Sequence, residues 1–291
     1  MPNHVKNLIV FRGDNQKQID EVLNFVSSKD KEGEAYFDFN KLIPMPEILN
    51  ETQSGTQADR GALLLTFLNY GSIRAKRDGS GEARFSITNP DRITINENRS
   101  LKFAKEYERI RQALIREQNM FPDSIPINPK ELIRLYFKYN PEDERLGKLQ
   151  LEAIKKTGLK SWYEWSINNW GTKWNSYDNE FNYGENAISF STAWSFPEPV
   201  MNKLIEKFPE VEFSWMWADE DRGHNTGQYE YFDGVLRCGH FDDGSNEAYD
   251  LYVDLWGEDE SGNDNTETMQ VNYHAPKGTW LPETDRKSSP D

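Results

Sequence analysis

Apolar and polar positions change rhythm several times along this chain, and each rhythm predicts an element. Val5 to Phe11 is β-branched and aromatic and stops at Gly13-Asp14, which predicts a strand. Ile19, Val22, Leu23 and Val26 then recur at helical spacing. Ala35 to Phe39 is extended again and runs into Leu42-Ile43-Pro44-Met45-Pro46, where two prolines exclude helix and mark a strand exit or an edge. Between 51 and 157 the helical period dominates. Asp59 to Asn69 predicts a helix, and Ser80 to Asn98 is polar and irregular apart from a short strand at Ile93 to Ile95. Ser100 caps a long helix with Leu101, Ala104, Tyr107, Ile110 and Leu114 on one stripe. Asn128-Pro129-Lys130-Glu131 opens the next helix, and Pro141 begins another that stops near Gly158.

Ser161-Trp162-Tyr163-Glu164 has a capping-box pattern and opens a short helix to about Asn168. The period of two then returns. Ala187 to Trp194 predicts a strand, Pro197-Glu198-Pro199 opens a helix with Val200, Leu204 and Phe208 on one side, and Val211 to Trp217 and Tyr229 to Val235 predict two more strands. Beyond Gly239, Tyr249, Leu251, Val253 and Leu255 alternate with polar or wider residues, which predicts a half-buried strand, and Met269, Val271 and Tyr273 predict another. The expected class is α+β: a ferredoxin-like sheet with a split βαβ arrangement from residues 1–50 and 160–240. A large, mainly helical insertion occupies 51–159, an acidic β-rich extension 241–281, and a disordered tail 282–291.

Composition narrows the setting. Nine Trp, sixteen Phe and thirteen Tyr supply burial that a mean hydropathy of −0.85 would not promise. One cysteine, Cys238, excludes an intramolecular disulfide and points to a reducing, cytoplasmic setting. The first residues carry no apolar leader, and no apolar run reaches the roughly 18 residues of a membrane span. The net charge of −15 is uneven: residues 211–291 hold 19 Asp/Glu against 5 Lys/Arg. Such a surface repels nucleic acid and anionic lipid and favours basic partners or cations, or serves solubility alone.

Two stretches carry a family resemblance. One is the opening strand with Asn7 and Gly13 and its exit Phe39…Ile43-Pro44-Met45-Pro46. The other runs Asn169-Trp170-Gly171-Thr172-Lys173-Trp174-Asn175-Ser176-Tyr177-Asp178, then Phe190-Ser191-Thr192-Ala193-Trp194-Ser195-Phe196-Pro197 and Phe208-Pro209. These resemble the YubB-like ferredoxin-domain family of plasmids, phages and other mobile elements, over residues 1–50 and 160–235. The resemblance implies a ferredoxin-like sheet and a mobile-element origin; it implies no activity and no catalytic residues.

Candidate chemistry is sparse. Trp162, Trp165, Trp170, Trp174, Trp194, Trp215 and Trp217 are stacking platforms or core, and core is the expectation. Cys238-Gly239-His240 with His224 lacks the second ligand pair of a zinc site. Asp219-Glu220-Asp221 with Asp242-Asp243 is a candidate two-metal set, and the 259–265 loop departs from the EF-hand pattern. Residues 74–111 are basic, Arg109 among them. The leading expectation is a non-enzymatic binding protein, without metal or cofactor, that engages or inhibits a host or defence protein with a basic surface. Its acidic face would use Asp219, Glu220, Asp242, Asp243, Asp250 and Asp254, with Tyr229, Tyr231, Tyr252 and Trp256 as anchors. A nucleic-acid module using sheet aromatics and the basic insertion is the second class, with nucleic acid disfavoured by the charge. A metal-dependent hydrolase is the third, and homo-oligomerisation stays open.

Overall fold

A computed structural model describes residues 3–13, 15–69, 73–77, 83–87, 97–126 and 128–257, without the side chains of 73–77, 83–87 and 97–102. Two compact units emerge, one from residues 1–38 with 175–291 and one from 39–174. Residues 39–50 and 160–174, assigned to the sheet by the sequence pattern, therefore cluster with the helical unit.

The chain opens with β1 (His4–Arg12), α1 (Gln16–Val26) and a small hairpin, β2 (Ser27–Lys29) and β3 (Ala35–Phe37). The second unit holds α2 (Glu47–Asn50), α3 (Thr56–Asn69), a hairpin of β4 (Ile73–Arg77) and β5 (Ala83–Ile87), α4 (Glu97–Glu117), α5 (Pro129–Tyr139), α6 (Pro141–Thr157) and α7 (Trp162–Trp170). The chain then returns through β6 (Tyr177–Asn182), β7 (Ala187–Ala193), α8 (Glu198–Lys207), β8 (Glu212–Asp219), β9 (Gly227–Phe232), β10 (Val235–His240) and α9 (Asn246–Trp256).

The first unit is built on an antiparallel six-stranded sheet, ordered β10-β9-β8-β1-β7-β6. β7 and β8 flank β1, both antiparallel to it, so they run parallel to each other and are joined by α8. That is the split βαβ of a ferredoxin-like fold, with β9 and β10 widening it beyond β8. On one face Val5, Asn7, Ile9 and Phe11 of β1 align with Phe190 of β7 and with Phe213, Trp215 and Trp217 of β8, all buried. Phe37 meets Phe190 edge to face at 5.2 Å, and Phe196 stacks on Trp217 at 4.1 Å. The crossover helices bury Ile19, Val22, Leu23 and Val26 from α1 and Val200, Met201 and Leu204 from α8. On the other face Leu8, Met216 and Ala218 pack with Leu251 and Leu255 of α9.

This last contact corrects the sequence reading, which made residues 249–255 a strand. Ser245 caps a helix by accepting from Ala248 N at 3.1 Å, and Ala248, Leu251 and Leu255 form its buried stripe. Tyr229 to Val235 is likewise not one strand: Asp233 and Gly234, at φ 52° and 73°, turn β9 into β10. The expected strands at 93–95 and 269–273, and the tail from 282, lie outside the described residues.

In the second unit Phe67, Phe103, Tyr107, Ile110, Leu132, Ile133, Tyr136 and Phe137 form the core. α5 starts as its sequence predicts, with Asn128 Oδ1 accepting from Lys130 N at 2.9 Å. α4 begins at Glu97, which places Ser100 inside the helix rather than at its cap. At Ser161 no side-chain cap bond forms, and Glu164 Oε2 instead accepts from Lys160 N at 3.3 Å. Ser80 to Asn98, read as irregular, contributes β5, paired with β4. Arg60 ties α3 to three other helices: its Nε bonds Glu106, and its Nη1 lies 3.1 Å from Tyr136 Oη and 3.4 Å from Asp143 Oδ2. Tyr136 donates to Asp143 Oδ2 at 2.6 Å, and burial, reinforced by that carboxylate, pushes the phenol up to about 12.

Candidate functional site

Asp219, Glu220, Asp242 and Asp243 lie where two loops of the first unit come together, while Asp250 and Asp254 lie on α9. One loop joins β8 to β9, the other β10 to α9. Backbone bonds clamp them: Gly244 N donates to Gly223 O at 2.9 Å, and Phe241 N donates to Thr226 O at 2.9 Å. Glu220 N donates to His4 O at 2.8 Å, which anchors the first loop to β1. Gly223 has φ 77°, and a Cβ there would lie 2.6 Å from Cε1 of Tyr249, so only glycine lets α9 approach.

Asn225 is the connector between carboxylates. Its N donates to Asp243 Oδ1 at 3.1 Å, and its Nδ2 donates to Asp219 Oδ2 at 3.1 Å and to Trp194 O at 3.2 Å. Asp219 is buried and also accepts from Asn3 Nδ2 at 3.1 Å and Asp221 N at 2.9 Å. It organises the loop and is not a contact residue, contrary to its sequence assignment. Tyr231 is buried too, with its hydroxyl donating to Pro209 O at 3.0 Å, so it belongs to the core and not to a docking face. Tyr229 is half-buried and stacks on Trp217 at 5.4 Å.

Glu220, Asp242, Asp243, Asp250 and Asp254 are exposed. Asp221, Glu247 and the 40%-exposed Tyr249 join them, and the sequence reading had not named these three as contacts. The missed signal for Tyr249 was Ser245 at a helix N-cap, since only a helix brings residue 249 over Gly223. Tyr252 and Trp256 are half-buried and stacked at 6.1 Å. Arg222 lies about over both tyrosines, 5.8 Å from Tyr252 and 6.0 Å from Tyr249. Trp256 Nε1 donates to Ala218 O at 3.0 Å, and Lys6 Nζ sits 4.3 Å from its ring. Burial holds the Lys6 ammonium below its usual range.

His224 Nδ1 lies 3.2 Å from Asp243 Oδ2. That hydrogen bond, helped by Asp221 and Asp219, raises the imidazole above its ordinary 6.5, and the same contact lowers Asp243 below 3.8. A raised histidine stabilises the folded loops fully below 6.5 and loses that contribution as pH rises through its folded value. A lowered aspartate contributes above 3.8 and loses it as pH falls through its folded value. The clamp is therefore strongest between about pH 4 and 6.5. The expected NMR result is a His224 midpoint above 6.5 that returns to the ordinary range in Asp243→Asn; an unchanged midpoint would rule out the pairing.

Among the described residues no group of three His, Cys, Asp or Glu side chains is placed to hold a metal ion. Cys238 is exposed, and partial desolvation together with Glu230 raises its thiol above the ordinary value, while His240 packs edge-on to Trp217 at 5.0 Å. Trp165, Trp170, Trp215 and Trp217 are core, with Trp170 Nε1 donating to Ile43 O at 2.9 Å; Trp174 and Trp194 are partly exposed. Arg109 pairs with Glu106, and Arg111 with Glu108. No described helix is long and apolar enough to cross a membrane.

Residues 169–272 match a family model described as the ferredoxin-like domain in Api92-like protein. The chain is also similar to a crystal structure of the protein api92 from Yersinia pseudotuberculosis, at 12% identity and a TM-score of 0.33, over 84% of this chain and 100% of that one. No curated protein matches.

Proposed function

We propose that this chain is a non-enzymatic binding protein that engages a basic protein surface through the acidic lip formed by its two clamped loops and the start of α9. The observation that carries the reading is the clamping itself. Asp221, Asp242 and Asp243 sit on loops fixed to each other by backbone bonds and by Asn225, beside an exposed tyrosine. Loops whose backbone is held in place before binding lose little freedom on association, and a field of one sign steers a partner of the other. The YubB-like affiliation and the mobile-element origin implied by the sequence motifs fit such a role, with inhibition of a host or defence protein as the consequence of binding. The nucleic-acid reading is less supported, because the sheet aromatics that would stack on bases are buried.

The test spares Asp219 and Asp243, which hold the loops, and changes Glu220→Gln, Asp221→Asn, Asp242→Asn and Asp250→Asn together. Wild type and variant serve as baits in lysate of the native host, and the captured partner's kinetics are then measured. Association slows roughly tenfold at low salt while dissociation changes less, with circular dichroism unaltered. Equal association rates for the two baits would leave the lip as a solubilising surface.

A further inference from the structure

The two edges of the six-stranded sheet differ. At β6, Phe37 N donates to Asn179 Oδ1 at 3.0 Å and Ser176 Oγ donates to Phe37 O at 2.6 Å, so β3 lies along that edge. At the other edge β10 pairs with β9 alone among the described residues. A bare edge is a template for another strand, and proteins usually blunt it with proline, charge or a covering element. Val235-Leu236-Arg237 has no proline. Its one charge, Arg237, stands across from Glu230, and Val235 and Leu236 are 47% and 39% exposed on opposite faces. Cys238, at φ 69°, leaves the extended conformation, although pairing with β9 continues to His240. The acids around the strand are Glu230 opposite, Asp233 before it and Asp242 and Asp243 after it, against a net charge of −15 for the chain. Like charge disfavours a second copy on this edge and favours a cationic strand.

We infer that the outer edge of Val235–Arg237 accepts an extended Lys- or Arg-bearing segment of a protein partner as a seventh strand. This rests on the acidic-lip reading and adds the mode of engagement. Main-chain hydrogen bonds along β10 hold the segment, Val235 and Leu236 meet its alternate side chains, and the lip sets its approach.

The probe is a synthetic peptide alternating Lys and Val, with a Glu and Val counterpart, added to the full-length chain while amide hydrogen exchange is followed by NMR. The outward amides of β10 exchange fast in the free protein. The Lys peptide slows them roughly tenfold, and the Glu peptide does not. Leu236→Lys removes the slowing, and Asp242→Asn lowers the association rate. Three outcomes overturn strand addition: outward amides already protected in the free monomer, protection that grows with protein concentration, and peptide binding that leaves β10 unchanged. In the last case, binding that still weakens when the lip is neutralised keeps the acidic-lip reading while strand addition fails. If neither peptide binds, strand addition fails, and the bait comparison alone then decides the acidic-lip reading.

Discussion

Gly61→Ala costs the helical unit at least about 3 kcal/mol, the upper end for overpacking, because the added methyl has nowhere to go. At Gly61 a Cβ would stand 1.8 Å from Asp143 O and 2.8 Å from its carbonyl carbon. Both are backbone atoms of α6, so no side chain can swing aside. Gly147 is the reciprocal position, where a Cβ would meet Gly61 C at 2.2 Å and Ala62 N at 2.5 Å. The two glycines let α3 and α6 touch main chain to main chain, and Gly147→Ala has a similar effect. Separating the helices would also pull Asp143 of α6 from Arg60 of α3, which lies 3.4 Å from its Oδ2. Urea unfolding followed by circular dichroism at 222 nm reports chiefly on this helix-rich unit. Gly184→Ala is the control, since the nearest atom there is Asn182 Oδ1 at 3.5 Å. A Gly61→Ala midpoint within error of wild type would show that α3 and α6 do not cross at this residue.

Asn7→Leu destabilises the sheet unit by about 3 kcal/mol, the sum of an orphaned buried donor and a lost partner bond. Asn7 is fully buried in β1, the central strand. Its Nδ2 donates to Thr192 Oγ1 at 3.0 Å and to Val5 O at 3.0 Å, and its Oδ1 accepts from Trp215 Nε1 at 3.1 Å. Leucine fills similar space but leaves the indole N–H with no acceptor. The double variant Asn7→Leu/Trp215→Phe removes that orphan and so loses less than the sum of the single changes, with a coupling of about 1 kcal/mol or more. Strict additivity of the unfolding free energies would mean that the indole finds another acceptor and that Asn7 is not its anchor.

Much of the sheet was legible because its strands are buried on both faces or alternate cleanly. Val5 to Phe11, Ala187 to Trp194 and Val211 to Trp217 each became a strand of the core. The β9–β10 hairpin was also written in the chain, as the Asp233-Gly234 pair between two apolar runs, a dipeptide suited to two consecutive positive φ values. The pair is masked in sequence because Tyr229 to Val235 reads as one alternating run.

The candidate site was half legible. The density of Asp and Glu after residue 211 is a property of composition, and Glu220, Asp242, Asp243 and Asp250 are exposed as solvated carboxylates should be. Charge density could not separate them from Asp219. That aspartate has the same chemistry in sequence but sits where Asn3, Asp221 and Asn225 converge on it. Nor could it mark Asn225, whose amide joins two loops that lie eighteen residues apart.

The α+β class, the strand periods, the helix ends at Asn128 and Gly158 and the uneven charge all follow from residues near one another in the chain. Other features depend on contacts between distant parts of the chain. Tyr249, Leu251, Val253 and Leu255 satisfy a period of two, while Ala248, Leu251 and Leu255 satisfy a period of 3.6, and a short segment cannot choose between them. Leu8, Met216 and Ala218 made the choice by offering a half-covered sheet face that a helix capped at Ser245 could cover. The same holds for Gly61 and Gly147, for Asn7 beneath Trp215, and for Asp219 beneath Asn225. Each role depends on a partner at least six residues away, and in most cases dozens to hundreds, and contacts of that range exist only once the chain has folded.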